Sequence, residues 1–463
     1  MTSIVQTRAP LSSRLTSTGS GGKMVKAYWD NLFSARERGA TVVWYNGAAL
    51  NPIFQAMGIE WCHGEAFGAR LAAMHLEGPA QQMGEEYGYI NELCSYARTT
   101  LGCAVLTQRT AAENTAAVAT GSNADATNVG MPDDATLASR LPPPDLFVNA
   151  YAGCSTGQQW DEISYRVFNK QLPFFKISYP LLWGNKPDAG YLQGEEWEEG
   201  AQFIARQLHK LIQFLEVQTG RKFNWDALRE AMHYIKRASK LRLEALALCT
   251  ARPTPATFFD WVASIAPINF LPGNQDLVDY FGRVKAEIED RLASNITSLP
   301  NERYRLAFDG IMNWNKVGWL ANKFAEHDAA VICGRYTHTS FWHEPDLIDE
   351  DDPILGMAKH YLLCPFNHTS KSLAHLLIKD CQIYGVDGVV FHATRTCRSA
   401  TNGQMQMAQM AQKAGIQTMF FEGDVADAAF YKDAVLESRL EAMLETIDGR
   451  RRTSALSADV AFT

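Results

Sequence analysis

Nine cysteines stand in this chain of 463 residues, and three of them keep company that a structural thiol would not need. Cys94 lies in Asn91-Glu92-Leu93-Cys94-Ser95-Tyr96-Ala97-Arg98, where polar and aromatic neighbours replace an apolar stripe. Cys154 lies in Asn149-Ala150-Tyr151-Ala152-Gly153-Cys154-Ser155-Thr156, and Cys397 in His392-Ala393-Thr394-Arg395-Thr396-Cys397-Arg398-Ser399. These last two segments each follow a short apolar run of strand character. In open α/β sheets the carboxyl ends of strands are where ligands bind. Thiolates select iron–sulfur clusters, zinc or Cu(I), and nearby hydroxyls and backbone N–H groups can hydrogen-bond cluster sulfides and tune their potential. The three cysteines are 60 and 243 residues apart, so no local motif announces a metal. On the residues alone, a soft metal centre competes with three unrelated cysteines beside loops.

The other six cysteines read differently. Cys333 and Cys381 sit in a strand and an apolar helical run, and Cys249 ends a Leu/Ala-rich helix, so all three are expected in the core. Cys62 and Cys103 fit neither class clearly. Cys364, before Pro365 in a loop, is the one candidate for a fourth thiolate. Among familiar motifs, GxxxxGK[ST], GxGxxG after a strand, HExxH and CxxC are all missing. The chain therefore has no Walker A loop, no dinucleotide fingerprint and no usual zinc or thioredoxin signature.

The elements that must position these thiols follow from hydrophobic patterning. Short apolar runs at Ala40–Tyr45, Asp145–Ala150, Pro173–Ser178, Arg303–Phe308, Ala329–Cys333, Gly388–His392 and Thr418–Phe421 read as buried parallel strands. Phe203, Leu208, Leu211, Ile212 and Leu215 recur at helical spacing and Gly220 stops that helix. Asn224 caps the next one, which carries Leu228, Met232 and Ile235 on one face. Leu436, Leu440, Met443, Leu444 and Ile447 form a last stripe, closed by Gly449. The expected layout is a flexible tail over 1–23, an α/β domain over 24–190 and a helix-rich segment over 191–299, broken at Ala251–Thr257. A second α/β domain over 300–450 and a frayed tail over 451–463 complete it. Residues 109–140, rich in Ala, Thr, Asn and Gly, read as a surface excursion that is part helical at most. Alternating strands and helices predict two Rossmann- or flavodoxin-like domains with parallel sheets.

Composition narrows the function classes. Apolar residues make up 46% and charged residues 20%, which excludes disorder as the overall state. No apolar run approaches the ~20 residues that span a bilayer. The Arg- and Ser-bearing start lacks an apolar h-region, so secretion is not expected and a cytoplasmic location is. A net charge of −8 argues against nucleic acid as a partner.

Asn46-Gly47 with Pro52, ELCSYAR around Cys94, the Cys154 loop and HATRTCRS around Cys397 occur here in order. Gly415-Ile416 and Phe421-Glu422-Gly423-Asp424 follow them. Over about residues 25–450 this pattern resembles the 2-hydroxyacyl-CoA dehydratase / benzoyl-CoA reductase superfamily. ELCSYARTTLG and NKVGWLANKFAEHDAAVICGRYTHTSFW look most like the B-type chain of ATP-dependent benzoyl-CoA reductases. The resemblance implies a [4Fe–4S] cluster in an interdomain cleft, with Cys94, Cys154 and Cys397 as its ligands. It implies two-electron reduction of benzoyl-CoA to a cyclohexadiene-carbonyl-CoA, with a 2-hydroxyacyl-CoA dehydratase subunit or a non-catalytic electron relay as rivals. It further implies a homologous C-type partner subunit, ATP bound only on a separate activator with its own cluster, and ferredoxin as electron donor.

Ring reduction would need a proton donor. Tyr336, His338 and His343 lie in an aromatic-rich stretch just past a strand end and are the candidates, against a loop held by ordinary hydrogen bonds. Asn46 and Gly47 end the first strand, where a glycine turn would let backbone donors reach a thioester oxygen or the cluster. The alternative there is a plain strand-to-helix turn. His63 and Glu65 read as structural, and Glu422 and Asp424 as caps of the following helix.

Overall fold

A computed structural model of the chain describes residues 13–47, 49–120, 137, 140–151, 154–168, 171–182, 194–339 and 341–460. Among the described residues, eight strands form two parallel four-stranded sheets. The first contains β1 (Val42–Asn46), β2 (Glu60–His63), β3 (Leu146–Tyr151) and β4 (Phe174–Ser178) in the order β2-β1-β3-β4. The second contains β5 (Tyr304–Asp309), β6 (Ala329–Gly334), β7 (Gly388–Thr394) and β8 (Gln417–Gly423) in the order β6-β5-β7-β8. The two halves thus repeat one topology, the start of a flavodoxin-like winding. In each sheet the winding reverses between its first and third strands, and a crevice opens there at the strand carboxyl ends.

Every residue of β1, β5 and β6 is buried, as in strands covered by helices on both faces. Seven strands lie where apolar runs predict them. The eighth, β2, was not expected: it is a four-residue edge strand, Glu60-Trp61-Cys62-His63, paired from Val42↔Glu60 to Tyr45↔His63. Its charged and imidazole ends hide it from any reading of periodicity. One hydrophobic cluster runs from Tyr45 and Ile53 through Leu208, Met232 and Tyr280 to Ala330 and Phe391, so the middle helices share a core with both sheets.

Gly220, at φ +67°, ends the helix Glu195–Thr219 as expected, and Asn224 accepts from Ala227 N at 3.0 Å to begin Trp225–Leu248. Phe203 departs from its stripe and is 42% exposed. Thr257 and Asp260 cap Phe258–Val262 reciprocally after the break. The last helix, Asp433–Val460, buries the expected Leu436-to-Ile447 stripe but runs on past Gly449 into the expected tail. Residues 1–12 lie outside the described residues. From Ser13 onward the N-terminal segment is anchored: Ser13 N donates to Ser298 O at 2.8 Å, and Leu15 N to Asp260 at 3.0 Å. A helix then begins at Thr18 and runs to Phe33. Of the expected excursion, residues 109–120 continue the helix Ser95–Thr120, and 121–136 and 138–139 lie outside the described residues. Among the described residues, no helix is long and apolar enough to cross a membrane.

Candidate functional site

The two switch-point crevices face one chamber. Gly47 follows β1 at φ +89°, and a Cβ there would sit 1.9 Å from Ala150 O on β3. Gly310 follows β5 at φ +124°, and a Cβ there would sit 2.7 Å from His392 O on β7. Both positions combine a left-handed backbone with close chain approach, and only glycine satisfies both. Between them lies a cavity of about 130 Å³. Its walls come from strand carboxyl ends of both sheets: Gly47, Glu65, Gly310, Arg335, Tyr336 and Ala400. Tyr96, Phe270, Phe341 and Phe366 add aromatic surface.

Cys94, Cys154 and Cys397 converge beside this chamber. Cys94 and Cys397 are buried and Cys154 is half-buried. The three act on one another electrostatically: Cys397 and Cys154 raise the Cys94 thiol, and Cys154 raises Cys397. Burial is the larger cause in each case. Each thiol stands at the start of a helix: Ser95–Thr120, Gly157–Arg166 or Arg398–Thr401. Backbone N–H groups of Ala97, of Thr156 and Gly157, and of Ala400 donate to the three sulfurs respectively and oppose the effect of burial. Ser399 bonds to Cys154 as well, linking the third thiol to the Cys397 segment. Positive helix ends and N–H donors aimed at sulfur favour the thiolate. Gly153 to Gly157 also reads G-x-S-x-G, the spacing of a nucleophile elbow. Ser155, however, is exposed, and it is Cys154 that joins the other two cysteines.

Among the described residues, no three His, Cys, Asp or Glu side chains gather closely enough to hold one metal ion. Ligands of a single zinc crowd within a few ångströms of it, with Zn–S near 2.3 Å. Three mutually interacting thiols with N–H donors on sulfur are soft donors of the kind that iron–sulfur clusters take. Cys364 stands on the chamber wall and interacts with Cys154, with burial pushing its thiol up to about 12. Cys62, Cys103, Cys249, Cys333 and Cys381 are all in the core.

The other sequence candidates divide. Tyr336 and His343 line the chamber. His338 does not: it lines an adjoining cavity, with Nδ1 2.9 Å from Thr337 Oγ1 and its ring edge-on to Tyr384. Burial drives its pKa down to about 3, so it is neutral. Asn46 points into a small void behind β1 instead of the chamber, whereas Gly47 reaches the wall. His63 is structural as expected, capping Gly64–Ala73 through Ala66 N at 3.3 Å.

Two functional candidates have no signal in the sequence. Glu65, expected to be structural, lines the chamber directly after the unexpected β2, and burial raises its carboxyl to about 7 against a hydrogen bond from the Gly47 backbone. Arg335 lines the chamber too, held by Asp309 Oδ1 at 2.9 Å and Ala400 O at 3.3 Å. Knowing that β2 exists would have placed Glu65, because residues past a parallel strand's carboxyl end face the crevice. Asp424 caps no helix; it is buried and accepts from Ser95 and Thr396. Glu422 is exposed.

Comparisons with known proteins identify the family. The B-type chain of benzoyl-CoA reductase from Thauera aromatica is 26% identical over 73% of this chain and 79% of its own length. The (R)-2-hydroxyisocaproyl-CoA dehydratase alpha subunit of Clostridioides difficile is 23% identical over 91% of this chain and 94% of its own. The (R)-phenyllactyl-CoA dehydratase alpha subunit of Clostridium sporogenes is 23% identical over 90% and 92%. The profile of the 2-hydroxyglutaryl-CoA dehydratase D-component family matches residues 51–447, and the chain belongs to that family.

Proposed function

We propose that this chain is the [4Fe–4S]-bearing subunit of an ATP-dependent benzoyl-CoA reductase. In this reading Cys94, Cys154 and Cys397 hold the cluster, which when bound supplies low-potential single electrons. The observation that carries the substrate is the chamber: about 130 Å³ with walls of Tyr96, Phe270, Tyr336, Phe341 and Phe366. An apolar cavity of about 150 Å³ takes a benzene molecule, so this one suits a single aromatic ring. Flat aromatic walls would hold the ring by stacking and edge contacts and exclude water. The reaction adds two electrons and two protons to benzoyl-CoA, giving cyclohexadiene-carbonyl-CoA. Glu65, Tyr336 and His343 on the chamber wall are the groups able to pass those protons. Arg335 offers donors to the thioester oxygen.

Electrons would come from ferredoxin by way of an ATP-hydrolysing activator, and a homologous subunit would complete the complex, in the cytoplasm. Relatives that are themselves named as subunits support a hetero-oligomer. A second reading, a 2-hydroxyacyl-CoA dehydratase subunit, is favoured by one observation: three dehydratase relatives match about nine-tenths of this chain, against 73% for the reductase, although a fourth matches 66%. Turnover of the purified complex decides between them. The reductase reading expects ring reduction of benzoyl-CoA. Water loss from a 2-hydroxyacyl-CoA, with benzoyl-CoA inert, would overturn it.

A further inference from the structure

Cys94 belongs to the N-terminal half and Cys397 to the C-terminal half, so something other than local chain geometry must set their separation. The contacts beside them are dense. The carboxylate of Asp424 is fully buried between the halves. Ser95, next after Cys94, donates its hydroxyl to Asp424 Oδ1. Thr396, just before Cys397, donates its N–H to Oδ2 at 2.8 Å and its hydroxyl to the same oxygen at 2.7 Å. The ring closes when Ser95 N donates to Thr396 Oγ1 at 3.0 Å. Ala426 N adds donations to Ser95 Oγ at 3.2 Å and to Asp424 Oδ1 at 3.3 Å. Around this ring, buried Arg98 pairs with Asp427 and Gln81 Nε2 donates to Ala426 O at 3.0 Å.

We propose that Asp424 is a positioning residue: one buried carboxylate that clamps the neighbours of two thiols from opposite halves and fixes Cys94 against Cys397 before any cluster is present. Several charge-assisted hydrogen bonds converging on one carboxylate make a short, stiff link. The proposal deepens the cluster reading and rests on it for its purpose, but the geometry can be tested without iron.

The test treats the reduced, iron-free full chain anaerobically with dibromobimane, a short bifunctional thiol reagent, and maps the linked peptides. In the native chain the Cys94–Cys397 pair should form. In Asp424→Ala, which loses all four donations to the carboxylate, its yield should fall about tenfold or more, since one buried hydrogen bond alone is worth about that factor. Asp424→Asn keeps an acceptor for Thr396 and should restore much of the yield. Asn315→Ala cuts another buried link between the halves, Asn315 to Glu77, and should leave the pair unchanged. Should Asp424→Ala fail to fold, Ser95→Ala and Thr396→Val each remove one donor and should each lower the yield. Undiminished Cys94–Cys397 linking in folded Asp424→Ala, or in both single-donor variants, overturns the proposal, as does absence of that pair in the native chain. Iron content and the visible spectrum after anaerobic reconstitution separate the two ideas. A native chain that links Cys94 to Cys397 but takes up no iron refutes the cluster and leaves the clamp standing. Asp424→Ala should load iron with an altered spectrum, whereas Asn315→Ala should match the native one.

Discussion

Three thiols, three helix starts and a set of N–H donors make a claim that single substitutions can check. Cys94→Ala, Cys154→Ala and Cys397→Ala should each prevent assembly of a full cluster, read as iron per chain after anaerobic reconstitution. Cys333→Ala, in a fully buried strand, should cost only packing, about 1–3 kcal/mol of stability, and keep its iron. A full complement of iron in any of the first three removes that cysteine from the site. The convergence of the three thiols was foreshadowed by neighbours that are polar where a core stripe would be apolar. Glu65 and Arg335 were not, because a carboxylate or guanidinium has no spacing signature: each reaches the chamber through a strand end that only the folded sheet reveals. Tyr336, His338 and His343 show the limit from the other side. Tyr336 enters the chamber, while His338, two residues on, turns into the next cavity.

At the scale of elements, helix ends depended on how strong the stop was. Gly220 adopts a left-handed conformation and ends its helix. Gly449 stays helical, because the arginines and alanines that follow favour helix and a Cβ there would meet open space. Gly449→Ala should therefore raise stability by about 0.5–1 kcal/mol, through lower chain entropy in the unfolded state. A fall in melting temperature would mean that this helix bends or opens at Gly449. A second element carries a pH signature. Asp380, on the helix Ser370–Tyr384, is raised from 3.8 to about 6 by burial, with Lys379 opposing. Cys333, Cys381 and Tyr384 couple to it, but all three stay neutral below pH 8. Below about pH 3 Asp380 is protonated in both folded and unfolded chains and costs nothing. As pH rises from 4 to 6 the unfolded chain ionises first, so stability is lost across that window and stays lost above it. Asp380→Asn should then be stabilising by about 3 kcal/mol at pH 7.5 and near neutral at pH 3. Equal shifts in melting temperature at both values would show that ionisation of Asp380 is not the cause.

At the scale of the molecule, the alternation of strands and helices announced two α/β halves, but not that both wind in the same order; that needed β2, whose four residues are indistinguishable from a loop. The repeat matters because it puts two crevices mouth to mouth, with thiols from both at one chamber. The sequence holds no Walker A loop, and the proposed function places ATP hydrolysis on a separate activator. Reduction of an aromatic ring requires a potential at the low end of what iron–sulfur clusters reach, about −700 mV. A site poised there would discharge into easier acceptors unless another protein controlled delivery. Under the proposed function, this chain alone should neither hydrolyse ATP nor reduce benzoyl-CoA, and it should need both a homologous partner and an ATP-hydrolysing activator. Mixing the purified chain with reduced ferredoxin, benzoyl-CoA and ATP, with and without the remaining subunits, makes the check. Turnover should appear only with the activator and stop when a non-hydrolysable ATP analogue replaces ATP. Ring reduction at full rate by the chain alone would show that electron delivery is not gated from outside, and the argument from the missing nucleotide loop would fail.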